Sequence, residues 1–209
     1  MEMVEYGKSP FRFYKIRPVP VKEEIETISV DALRKLTRLE LTEGTELARA
    51  RDMMLLSFLL CGPDLIDLYH FEPQDGDEIV YIRHKNEEKG MRPVHVYIEP
   101  EIRIMLDMYH GEHHLLNLQD RYPNYKTYQR NHNRACARLS DMVGEKVNME
   151  RIRRSWATIA GELEVPERVQ NKSTGHVDAT IKNKHYEKYD WNRTRKYNRL
   201  VMDYVLYGE

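Results

Sequence analysis

Cysteine is scarce in this 209-residue chain: Cys61 and Cys136 lie far apart and form no CxxC pair, which excludes a disulfide scaffold. Both read as reduced thiols packed like small apolar groups. Long hydrophobic runs are also missing. The longest, MMLLSFLLC, falls well short of the roughly 20 residues that cross a bilayer and reads as a buried helix. The opening MEMVEYGKSPFRFYKIRP has no apolar h-region and no small-residue cleavage site, so nothing in it directs secretion and the expectation is cytoplasmic. No internal repeat appears. An excess of one charge is absent too: 33 Lys+Arg against 34 Asp+Glu argues against a protein that merely coats nucleic acid, because phosphate contacts need cations. That balance hides an asymmetry. Residues 121–209 carry 18 Lys+Arg against 11 Asp+Glu, and residues 1–120 carry 15 against 23, which predicts one face suited to a polyanion.

What is present is 41% hydrophobic and 32% charged, the composition of a soluble globular protein, and the length suits one well-buried domain. Residues 1–22 mix Pro, aromatic and basic residues and read as an extended linker entering a domain over 23–192, with 193–209 as a closing helix or tail. SVDALRKLTRL places Val30, Leu33, Leu36 and Leu39 on one helical face, with Ser29 or Asp31 as its cap. TELARARDMMLLSFLLCG is a second helix, stopped by Gly62-Pro63, and LIDLYHF a short third. Alternating runs at 78–83 and 94–98, joined by a charged turn, predict a β-hairpin. PEIRIMLDMYHG is helical, 111–122 a loop, PNYKTYQRNHNRACARLSDMV a long basic helix, MERIRRSWATIAGELE another and PERVQNKST a short one. The expected class is α+β, mainly α with a small antiparallel hairpin.

Two stretches carry chemistry. RIRRSWATIAGEL holds Arg153, and TGHVDATIKNKHYEKYDW runs from His176 to Tyr186 ten residues later. With the order helix, hairpin bearing a Lys, helices bearing Arg and His, then Tyr, the chain resembles the tyrosine recombinase (phage integrase) family, especially the integrases of Bacteroides-type mobile elements. SPFRFYKI is similar to the linker that follows the family's N-terminal core-binding domain, so the resemblance implies a catalytic fragment with the family's DNA breaking-rejoining fold.

The resemblance assigns roles that the residue types can fill. Tyr186, with Tyr189 as alternate, is the nucleophile, since a phenolic oxygen can hold the phosphodiester bond energy as a 3′-phosphotyrosine without a cofactor. Arg153 is the family's second arginine, whose planar fork meets two phosphate oxygens as charge develops on them. Lys85 in YIRHKN, or Lys89, protonates the leaving 5′ oxygen, and His176 donates to the same phosphate from a neutral or charged ring. Arg130, Arg134 and Arg138, at helical spacing, and Arg154 are candidate DNA contacts. The implied partners are double-stranded DNA and further copies of the chain, a tetramer on paired sites, with the helix at 195–207 docking on a neighbour or on its own domain. No cofactor, metal or membrane is called for.

Two positions depart from the family pattern. Asp64 stands two residues after Gly62, where the family has its first arginine, and Glu150 stands three before Arg153, where a His or other polar donor is usual. Both put an acid where phosphate would sit. Arg49 and Arg51 lie some three turns back along the same helix, too far to substitute, while Asp67 matches the acid that braces this region. The alternative these departures raise is a recombinase-like DNA-binding protein that no longer cleaves, a regulator or relic. HGEHH at 110–114, with His84 and His95, has metal-binding residue types at spacing that matches no closed site.

Overall fold

The computed structural model describes residues 26–85, 93–176 and 189–208. It is mainly helical with one two-stranded antiparallel sheet. In chain order the elements are α1 (Val30–Arg38), α2 (Glu46–Leu59), α3 (Leu65–Tyr69), β1 (Glu78–Tyr81), β2 (Val94–Tyr97), α4 (Pro100–Met108), α5 (Leu118–Arg121), α6 (Tyr125–Val143), α7 (Met149–Glu162), α8 (Glu167–Ser173) and α9 (Asn192–Leu206).

Side-chain caps set where the helices begin. Ser29, Thr45, Asn124 and Asn148 accept from the amides of Ala32, Ala48, Thr127 and Arg151, satisfying donors that a helix start leaves without partners. Ser29, not Asp31, is thus the cap of α1. α6 ends at Gly144, whose φ of 83° is the left-handed conformation that stops a helix most cheaply in glycine.

α2 is the axis of the core. Residues on most of its circumference are buried, and α6 and α7 pack along it. α9 closes the far side through a polar clasp: the fully buried Trp156 donates its indole N–H to Asn198 Oδ1 at 2.8 Å, and Asn198 Nδ2 donates to Leu59 O at 2.7 Å. One amide therefore satisfies α7 and the last turn of α2 together, as a buried indole requires. Arg199 adds a bond to each carboxylate oxygen of Glu101 on α4, at 2.9 Å. The closing helix thus lies on its own chain.

In the hairpin, Glu78 pairs with Tyr97 and Tyr81 with Val94, and Ile79, Tyr81, Val94 and Val96 face the core. Trp191 stacks on His95 with ring centroids 4.6 Å apart and the Arg195 guanidinium lies 3.4 Å from the Tyr97 ring centre, so the start of α9 covers the outer side of β2. β1 stops at Tyr81, short of 83, because the His84 amide turns to Asp67 Oδ1 at 2.8 Å instead of continuing the ladder. The stretch 111–122 is not all loop: one helical turn, α5, forms over Leu118–Arg121 on the buried Leu118. Among the described residues no helix is long and apolar enough to cross a membrane.

Candidate functional site

Arg153 leaves α7 and runs across the chain reversal after α2. Gly62 has a φ of +84°, and a Cβ there would lie 2.8 Å from Arg153 Cγ and 3.0 Å from its Cα, so both the backbone conformation and the close approach demand glycine. The guanidinium donates to Gly62 O and to Thr174 O, carbonyls at the ends of α2 and α8. Among the described residues no carboxylate bonds it directly. Burial lowers its proton affinity, the nearby Arg83 adds to that, and Tyr81, Asp64 and Asp67 work the other way.

Arg83 is the residue that sequence reasoning missed. It comes two positions after Tyr81, on the inward side of the run that buries Ile79 and Tyr81, and its side chain is only 3% exposed. Its Nη2 donates to Asp64 and its Nε lies 3.8 Å from Asp67 Oδ2. The signal was available: period-2 alternation puts residues 79, 81 and 83 on one face, and an arginine on a buried face has to meet charge. Gly175 is to Arg83 what Gly62 is to Arg153. It has a φ of +68°, and a Cβ on it would come 2.9 Å from Arg83 Cδ.

Asp67 is the brace of this region. Its two oxygens accept from the amides of Asp64 and His84, each at 2.8 Å, tying the start of α3 to the chain leaving β1 and so aiming Arg83 between them. Burial raises its pKa, and the two amides and Arg83 pull it back. Asp64, which should repel phosphate at the first-arginine position, is neutralised by Arg83. Arg49 and Arg51 are committed elsewhere, Arg49 to Asn117 Oδ1 at 2.9 Å and Arg51 to Asp52 Oδ1 at 2.7 Å.

His176 follows Gly175 and is exposed. Its Nδ1 lies 2.7 Å from Thr174 Oγ1, whose single proton goes to Gln170 O at 2.7 Å, so Nδ1 must be the donor. The neutral ring therefore presents Nε2 as an acceptor, and only the imidazolium can donate outward from it. Burial, then Arg153, Arg83 and Lys85, push its pKa below the ordinary histidine value. Lys85 is exposed, a short way beyond the end of β1 at Tyr81. Arg83, Lys85, Arg153 and His176 thus meet at one place from three distant parts of the chain.

Tyr186 and Lys89 lie outside the described residues. Tyr189 is a packing residue: its hydroxyl is 2.9 Å from Thr194 Oγ1, its ring meets Trp191 edge-on, and burial raises its pKa. Glu150 corrects an expectation. It points to solvent and pairs with Arg154 one turn on, at 2.5 Å, so it does not face the cluster. Arg130, Arg134 and Arg138 are exposed at i, i+4 spacing along α6, with no ion pair among the described residues. Of the histidine-rich stretch, His114 lies 3.7 Å from Glu72, and among the described residues no three side chains come together to hold a metal.

Neither a family model nor a curated protein matches the chain.

Proposed function

We propose that the chain is the catalytic domain of a tyrosine recombinase, cleaving and rejoining duplex DNA through a 3′-phosphotyrosine at Tyr186. The observation that carries this reading is the meeting of Arg83, Lys85, Arg153 and His176. Two guanidiniums side by side bind a phosphodiester and the charge that grows on it during attack. Arg83 takes the part of the arginine that Asp64 replaces. Lys85 supplies a proton to the leaving oxygen, and the neutral His176 ring, with Nε2 open, takes one up. The exposed arginines of α6 give the duplex a basic track; like charges one turn apart weaken an isolated helix, so the arrangement favours a polyanionic partner.

A nicked suicide duplex built from the sequence flanking the gene tests the proposal on a denaturing gel. A covalent adduct is expected, and it should vanish in Tyr186→Phe. Salt-sensitive DNA binding without an adduct would favour the second reading, a recombinase-like regulator, which the acid in the site supports. Absence of both overturns the assignment.

A further inference from the structure

Arg83 uses its donors sparingly. Of five N–H groups, one makes a hydrogen bond among the described residues, to Asp64, and the buried Nε has none. A buried guanidinium left this open is a site awaiting an acceptor, because unsatisfied buried donors are costly. The two acids beside it differ. Asp67 has a side chain 1% exposed and is held by two backbone amides, so it cannot leave. Asp64 is 36% exposed, and its carboxylate meets Arg83 while also forming, with Asp67, the reciprocal capping box at the start of α3. Arg83 does not depend on Asp64 alone for its position, since Gly175 lies close against its stem and Asp67 faces its Nε.

We propose that Asp64 is an exchangeable counter-ion and Asp67 a fixed positioning residue, so that the cluster is closed to phosphate in the free chain and opens when a phosphate displaces the Asp64 carboxylate from Arg83. This rests on the recombinase reading only for the source of that phosphate, a DNA phosphodiester. The exchange replaces one anion by another on the same guanidinium. No charge is left buried without a partner at either end, which is what makes opening feasible. Asp64 is already partly exposed and keeps its capping place at the start of α3 when it gives up Arg83.

The nearly isosteric Asp64→Asn, which removes the carboxylate charge, is the test, read by thermal shift and titration with inorganic phosphate and, separately, by anisotropy with a mixed-sequence duplex. Tighter phosphate binding is expected, by about tenfold, the scale of one charge-assisted hydrogen bond. Adding Arg83→Gln should cancel the gain, Asp67→Asn should not reproduce it, and neither should Asp107→Asn, an equal charge change at an exposed position on α4. Unchanged or weaker phosphate binding in a folded Asp64→Asn chain, or a gain that survives Arg83→Gln, overturns the exchange. If the phosphate gain appears while no duplex binds any variant, the exchange stands and the recombinase reading fails.

Discussion

His132 gives this domain a calculable sensitivity to acid. It sits mid-way along α6, 2% exposed, and both ring nitrogens lack a hydrogen-bond partner among the described residues. Burial alone pushes its pKa down to about 4. In the unfolded chain the ring titrates near its ordinary value of about 6.5, so between these values the unfolded state binds more protons. The neutral-ring stability is whole above about pH 6.5 and is lost as the pH falls through the folded value. Integrating the linkage relation gives a loss of about 2 kcal/mol at pH 5 and about 3 kcal/mol at pH 4 relative to pH 7.5. Urea unfolding of the wild type and of His132→Leu across pH 4–7.5 isolates this contribution, because the other titrating groups cancel in the difference. Leucine is close in volume and strands no partner, so the variant should match or exceed the wild type at pH 7.5. Their separation should then widen in acid by the stated amounts. Parallel stability curves for the two proteins would mean that burial does not hold the His132 ring neutral.

Two further outcomes follow from the site. Gly62→Ala forces a Cβ to within 2.8 Å of Arg153 Cγ at a left-handed φ, so it should cost about 1–3 kcal/mol by thermal denaturation and lower adduct formation through the displaced guanidinium. On α6, the triple change Arg130→Ala, Arg134→Ala and Arg138→Ala should flatten the slope of log affinity against log salt by about 0.9 for each phosphate no longer neutralised, whereas Arg154→Ala, whose guanidinium pairs with Glu150, should move it less.

The α6 arginines and the Arg83 cluster differ in how they hold cations. On α6 the charges face water, screened and, among the described residues, without ion pairs, and can move to meet phosphates at little cost. In the cluster they are held by two backbone carbonyls and two acids, with glycines at 62 and 175 letting each stem cross the backbone closely. Such fixed donors avoid reorganisation when charge appears, which is where their value to a reaction lies.

Local pattern was enough to read the longer helices and the hairpin, because periodicity is short-range and each stretch repeats its own rule, but the side-chain caps at Thr45, Asn124 and Asn148 and the single turn of α5 emerge only in the folded chain. Arg153, Lys85 and His176 were singled out by the resemblance of the strings they stand in, not by periodicity. The pairing of charges was not legible. Asp64 and Glu150 looked alike as acids set against a phosphate, and only the packed chain separates them: Glu150 turns outward to a partner four residues away, while Asp64 meets an arginine delivered by the hairpin nineteen residues on. α7, likewise, is joined to α9 through Trp156 and Asn198, a bond across 42 residues that the modest apolar face of the last helix does not announce. Secondary structure answers to neighbours in sequence, but the charge state and openness of this site depend on which distant side chains share a buried volume, and that is decided only when the helices close on α2.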